Sequence, residues 1–270
     1  MRLWKILPRI AFCWFILFWL CPSVPNAYAE DVLRLSSSDQ VYRAYAEDAV
    51  AAFQKKNGIS VDLHVSSSAS SLGRLMNGMA DLATTVEGFS FRYGEYGYLE
   101  IPFCKDPLVV IAHPDVGVDN IRLEQVEEIF GGHITNWKEL GGPDEPIILV
   151  VPGEDTAAYK NFQRQAMKTR KIIYDFMSYR STMAVRAVRR VPYTISFIGQ
   201  GVIANQTGIK TLKIDGKPPG DSNYPYHQVF SFAVEGNPVG LAEAFIDFTF
   251  SSEGQSIIKK KGMIPVPREE

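Results

Sequence analysis

The side chains able to do chemistry concentrate in three hydroxyl-rich stretches, Ser36–Gln40, Ser66–Ser71 and Gly153–Thr156. Each follows a short β-forming run and precedes a helical pattern. Such a junction leaves backbone N–H groups without helical partners at the positive end of the helix dipole, where an anion can sit. Each stretch alone is better explained as N-capping, because Ser, Thr and Asp side chains accept from the amides of a first helical turn. Three of them in one chain raise the possibility of a shared cleft for an anion or polar solute. Other chemistries lack their residues. His64, His113, His133 and His227 are far apart and none has a partner four positions away, so structural histidines and no metal ligands are expected. There is no G-x-S-x-G elbow, H-E-x-x-H, C-x-x-C or EF-hand pattern. Gly199-Gln200-Gly201 lacks the spacing of a dinucleotide loop. The expectation is a binding protein with no catalytic residues, no metal and no cofactor, not an enzyme.

The elements around these stretches alternate between strand and helix. Val32–Leu35 predicts a short strand. Val41, Tyr45, Ala49 and Phe53 then recur every four residues along one helix face that stops before Asn57-Gly58. Ile59–Val65 alternates like a strand, Leu72, Leu75 and Met76 mark a helix closed near Gly78, and Asp81–Val86 predicts the next strand. A β-loop-α-β-loop-α-β order implies a parallel sheet with right-handed crossovers. Leu108–Ala112 is a fully apolar strand of the buried kind. A second α/β set follows: a helix through Leu123, Val126, Ile129 and Phe130, a strand Ile147–Val151, a helix capped by Asp155 or Thr156, a helix Met183–Val188, and a strand Thr194–Ile198. Val229–Val234 is a returning strand, and Leu241–Phe250 and Glu253–Lys260 are closing helices. The Gly/Pro-rich segment Gly208–Tyr226 is expected to be a surface excursion. The Arg186, Arg189 and Arg190 cluster suits a solvated helix face or a membrane partner, and Phe89–Tyr98 a long aromatic loop. Two such sets suggest two lobes around a cleft, with ligands at the carboxyl ends of the strands.

The first 29 residues have the layout of a cleaved secretory leader. Arg2, Lys5 and Arg9 precede the wholly apolar run Ile10–Leu20, and Ala27-Tyr28-Ala29 is a small-x-small cleavage signal. The apolar run is too short to span about 30 Å of hydrocarbon. Removing residues 1–29 takes three of the 28 basic residues and leaves 25 against 30 acidic ones, a net charge of −5. That balance excludes a nucleic-acid binder working by phosphate neutralisation. Cys13 and Cys21 leave with the leader, so Cys104 stands alone, with no internal disulfide and an inert, buried thiol expected.

The stretch Ile129-Phe130-Gly131-Gly132-His133-Ile134-Thr135-Asn136-Trp137, followed by Gly141-Gly142-Pro143-Asp144-Glu145-Pro146-Ile147, resembles the signature of phosphate-type periplasmic substrate-binding proteins of ABC importers. Phe245-Ile246 with Ser251-Ser252-Glu253-Gly254-Gln255, the run Lys261–Val266, and Ile195-Ser196-Phe197-Ile198-Gly199 are similar to further family stretches. The likeness spans roughly residues 32–267. It implies an α/β, two-lobe periplasmic-binding-protein type II fold, each lobe a mixed sheet flanked by helices, joined by crossing strands that allow hinge closure. Leu108–His113 would be the first crossing and Tyr224–Val234 the return. Lobe 1 would comprise residues 30–113 plus 225–270, and lobe 2 residues 114–224. The implied protein is a monomeric periplasmic receptor that captures a small solute, phosphate or another oxyanion first, for a membrane permease. A non-transporting sensor or accessory protein with a degenerate cleft is the alternative.

Carried onto this chain, the family's binding positions fall on Ser38, Asp39 and Gln40 after the first strand, Ser68, Ser70 and Ser71 in the second loop, Thr84 and Thr85 at the third strand end, and Asp155 and Thr156 at a helix start in lobe 2. Departures also cluster there. The second loop lacks the family's glycines. The family's arginine position is Val150, and its Gly-Ser-Gly-Thr run reads Gly153-Glu154-Asp155-Thr156. A carboxylate about 4 Å from a phosphate charge costs roughly 4 kcal/mol at an effective dielectric of 20, whereas a helix dipole returns only about 0.3–1 kcal/mol. If Glu154 and Asp155 face the ligand they oppose phosphate; if they point outward they merely cap a helix.

Overall fold

The computed structural model describes residues 32–86, 94, 96–178 and 181–268, and residues 31–270 form one compact unit. The expected leader lies outside the described residues, as does most of Phe89–Tyr98. Strand β1 (Val32–Ser38) runs through the serines that the sequence suggested as loop. Serines can continue a strand when neighbouring strands take up its ladder bonds, and β1 is flanked by parallel β2 (Ser60–Ser66) and β3 (Leu82–Thr85). A helix in three parts follows β1: α1 (Asp39–Val41), a π-helical turn Tyr42–Ala46, and α2 (Glu47–Asn57), which ends at Gly58 in the left-handed region. Helix α3 (Ser68–Met76) connects β2 to β3.

Strand β4 (Tyr98–Ala112) is 15 residues long and begins ten residues before the apolar run that marked it in the sequence. Its polar first half was hidden because it pairs antiparallel with β11 (His227–Glu235), which supplies the cover that its own residues do not advertise. Its second half, from Leu108, pairs with β8 (Thr194–Gly199) instead. Beyond β4 come the short β5 (Asn120–Ile121), α4 (Leu123–Phe130), β6 (Ile148–Pro152), α5 (Ala157–Phe162), a π-helical turn Gln163–Met167, β7 (Phe176–Ser178) and α6 (Ser181–Arg190). Strand β8 leads into α7 (Gln200–Ile203), β9 (Lys210–Thr211) and β10 (Lys213–Ile214). After β11 the chain closes with α8 (Gly240–Phe250), α9 (Ser252–Lys260) and β12 (Ile264–Pro265). The sheet order is β2-β1-β3-β11-β4-β8-β6-β7, with β9 and β12 added to β4.

Two hydrophobic cores lie along this sheet. The first packs Leu33, Leu35, Tyr45 and Phe53 against Phe103, Phe232 and Phe245, with the Phe103 and Phe232 rings stacked at 4.5 Å. The second packs Val109, Phe130, Trp137 and Phe162 around Phe197, with Phe162 and Phe197 stacked at 3.9 Å. Fully burying one such side chain contributes roughly 1.5–3 kcal/mol. Cys104 is a buried, free thiol, and burial pushes its pKa well up. Segment Gly208–Tyr226 is not a simple surface excursion: Leu212 and Ile214 are fully buried and Tyr224 and Tyr226 nearly so, because β9 docks on β4 and β10 on β5. Strand β7 was missed: its three residues carry no alternation, and Phe176 is 65% exposed.

The conspicuous sequence signature turns out to be a structural plug. Asn136 caps a 3-10 turn (Trp137–Leu140), with the Glu139 side chain returning to the Asn136 amide. The Trp137 indole N–H donates to the Tyr193 carbonyl at 2.8 Å inside the second core. Gly142 sits where an added Cβ would be 2.6 Å from the Val116 carbonyl oxygen.

Candidate functional site

Strands β1 and β3 end side by side and their hydroxyls interlock. Ser37 Oγ and Thr84 Oγ1 are 2.8 Å apart, and the Ser38 amide donates to Thr84 Oγ1 at 3.1 Å. Ser38 Oγ accepts from the Val41 amide at 3.3 Å, which caps α1. Ser68, at the start of α3, accepts from the Val86 amide just past β3 at 3.3 Å. Ser67 is the cap of α3, accepting from the Ser70 amide at 3.2 Å. Thus Ser38, Ser68 and Thr84 belong to one connected end of the first sheet half, with two helix N-termini opening on it. Their hydroxyls hold the loops and so aim the free first-turn amides of α1 and α3.

The remaining residues suggested by the sequence divide. Ser70 is exposed beside this end, whereas Ser71 and Thr85 are buried between α3 and the sheet. The Ser71 hydroxyl lies 3.4 Å from that of Ser66. Asp39 forms an i,i+4 ion pair with Arg43 at 3.0 Å, which neutralises it at the mouth. Gln40 is 8% exposed, and its amide points inward to the base of β8. The resemblance put Gln40 in the ligand loop; the structure places it in the first helical turn, with its side-chain amide beside Gly199.

In the other half, β6 ends at Pro152 and Thr156 caps α5. Thr156 Oγ1 accepts from the Tyr159 amide at 3.2 Å and donates to the Gly153 carbonyl at 2.7 Å. Glu154 and Asp155 are exposed, and Asp155 does not cap the helix. Val150, at the position where the resemblance would put an arginine, is buried. Ala157, the first residue of α5, packs against the first core, so this helix N-terminus faces the other half of the sheet. The Gln165 side chain makes two further links across, donating to the His227 carbonyl at 2.7 Å and accepting the His227 amide at 3.1 Å. Burial and the nearby charge of Lys105 lower the His227 pKa.

Sequence reasoning missed Asp106. This fully buried carboxylate accepts from the Gly201 amide and from Gln228 Nε2, both at 2.8 Å. Burial raises its pKa to about 7, against the lowering effect of the two hydrogen bonds. A faint signal was available, since Asp106 stands two positions before the apolar run Leu108–Ala112, although its neighbour Lys105 makes the pair look like an exposed turn. Among the described residues no cluster of His, Cys, Asp and Glu could hold a metal ion.

One sheet with two cores, a strand shared between them, and the first residue of α5 packed against the first core fit a two-lobe solute-binding protein. The chain belongs to the PBP superfamily, whose domain model matches residues 25–253. It is 28% identical over 165 residues to the phosphate-binding protein PstS of Bacillus subtilis, covering 59% of this chain and 55% of that one, so the chain spans just over half the length of that relative. It is 22% identical over 232 residues to PstS of Borreliella burgdorferi, covering 78% and 81%. Among solved structures, a candidate phosphate ABC transporter substrate-binding protein from Clostridium perfringens, crystallised with bound phosphate, superposes with a TM-score of 0.76 at 25% identity, over 87% of this chain and 100% of that one. A phosphate transport receptor from Vibrio cholerae shares the fold, with a TM-score of 0.66 at 20% identity.

Proposed function

We propose that this chain is an exported phosphate receptor. It holds the anion between the α1 and α3 N-termini on one lobe and the α5 N-terminus on the other, and delivers it as a single copy to an ABC permease. The lobes are residues 30–113 plus 225–270 and residues 114–224, with Leu108–Ala112 entering the second core as β4 crosses. The observation that carries this reading is the interlocked Ser38–Thr84 end of the first lobe, together with a Thr156-capped helix whose first residue, Ala157, packs against the first core. First-turn amides and hydroxyls are the donors such a site needs, and they act without a guanidinium. The names of the relatives give the anion: PstS of two bacteria is a phosphate-binding protein. The exposure of Glu154 and Asp155 removes the main electrostatic objection, since water and salt screen carboxylates that point outward. The leader-like N-terminus supports delivery to the periplasm.

Isothermal titration of the protein with inorganic phosphate tests the reading. Saturable one-to-one binding is expected, weakened about tenfold or more in Thr156→Ala, in line with loss of a cap and hydroxyl worth about 1–2 kcal/mol. No heat at millimolar phosphate, or an affinity unchanged by Thr156→Ala combined with Ser38→Ala, would overturn it.

A further inference from the structure

Asp106 stands where β4 changes partners: residues up to Pro107 pair with β11 and residues from Leu108 pair with β8. Gln228 of β11 is its registered neighbour and donates to Oδ2 at 2.8 Å. From the other lobe, the Gly201 amide at the start of α7 donates to Oδ1 at 2.8 Å. Gln40, from the helix that carries the α1 loop, reaches the same point. A Cβ added to Gly199 would lie 2.1 Å from Asp106 Oδ2, 2.6 Å from Gln228 Nε2 and 2.8 Å from Gln40 Nε2. One on Gly201 would lie 2.6 Å from Ala44 Cβ and 2.7 Å from Met263 Sδ, both in the first lobe. The Gly199-Gln200-Gly201 turn therefore owes its glycines to close contact between lobes. Within this knot Gln40 Nε2 and Gln228 Oε1 are buried without partners. An unpaired buried donor and an unpaired buried acceptor each cost free energy, which a small rearrangement of the turn that gave them partners would recover.

We propose that Asp106 and Gln228 are positioning residues that latch the Gly199–Gly201 turn to β4 and β11, and that Gln40 and Ala44, packed against the latched turn, couple the angle between the lobes to the loop that presents the α1 N-terminus. With the carboxylate ionised, Gly201 is held by a charge-assisted bond; with it protonated, that bond weakens and the turn is freer to move. Among the described residues the titratable groups beside the knot are the buried Cys104 on β4 and Tyr45 on the first helix, next to Cys104; burial raises the pKa of both and keeps them neutral. Gln40 and Ala44 from the first helix, Gln228 and Phe230 from β11, Gly199 and Gly201, and Met263 are uncharged. Lys105 and His227 occupy alternate positions on their strands and face the other side.

Double electron–electron resonance tests this in ligand-free protein carrying spin labels at Lys55→Cys and Lys171→Cys, one exposed position in each lobe. The interlabel distance distribution should change between pH 5.5 and 8.5 with a midpoint near 7. Asp106→Asn, which keeps the acceptor for Gly201, should abolish the change, and Gln228→Leu should move the midpoint upward by removing a donor to the ionised form. A wild-type distribution that does not respond to pH, or an equal response in Asp106→Asn, would overturn the latch. The proposal rests on the two-lobe receptor reading, but the outcomes separate. Phosphate shortening the distance equally in both proteins, with no pH response, would keep the receptor and reject the latch. A pH response confined to the wild type, with none to phosphate, would support the latch and reject the ligand.

Discussion

Replacing Asp106 by Asn should make the protein less sensitive to alkaline unfolding. The carboxyl sits at about 7 in the folded protein against an ordinary value of 3.8. Its folded pKa is raised, so folding retains a proton that the unfolded chain releases. The neutral form's stability is fully present below about pH 3.8 and is lost as the pH rises through 7. A shift of about 3 units at about 1.4 kcal/mol each gives roughly 4 kcal/mol lost above pH 7, and about 2 kcal/mol by pH 5.5. That is a large share of a typical net stability of about 5–15 kcal/mol. Asn cannot titrate, so all of this disappears from the variant while the titrations of other groups cancel in the comparison. Urea unfolding of both proteins at pH 4.5, 5.5, 7 and 8.5, in phosphate-free buffer, reads the difference. The Asn variant should gain on the wild type by a few kcal/mol from the lowest pH to the highest, with most of the gain complete by pH 7.5. A difference constant across that range would show that Asp106 titrates normally and that its burial does not govern it.

Two other outcomes follow from the same geometry. Gly199→Ala should be severely destabilising, by about 3 kcal/mol or more, because its Cβ would lie 2.1 Å from Asp106 Oδ2; thermal melts would show it, and a loss under 1 kcal/mol would mean the knot is loose. Asp155→Asn should tighten phosphate binding less than about threefold, with the effect fading between low and physiological salt, because the side chain is exposed; calorimetry showing a gain of a hundredfold would mean that it faces the anion.

The sequence revealed helices best where apolar residues recur at helical spacing. Leu123–Phe130 and Leu241–Phe250 are examples, the structure adding only Gly240 to the second. It revealed strands where both faces are apolar, as at Leu108–Ala112, and missed them where a neighbour rather than the strand's own residues supplies the cover. The first half of β4 and the three-residue β7 are of that kind. Serines at the end of β1 looked like loop because propensity weighs the residue alone, whereas two parallel neighbours hold them extended. The capping role of Ser38 was legible because a hydroxyl at a strand-to-helix junction has local meaning. Asp106 was overlooked because its setting comes from residues up to 122 positions away, at Gly201 and Gln228. No local pattern encodes such a meeting.

The position of β11 between β3 and β4 has a consequence for how the molecule comes into being. A chain emerging from its N-terminus delivers β1 to β4 early, yet the central gap in that layer is filled only when residues 227–235 arrive, more than a hundred positions later. Until then Phe103 lacks its stacking partner Phe232, and the early strands have nothing to close around. Completion of the first core is thereby postponed until about seven-eighths of the chain is available, a dependence on distant residues that slows folding.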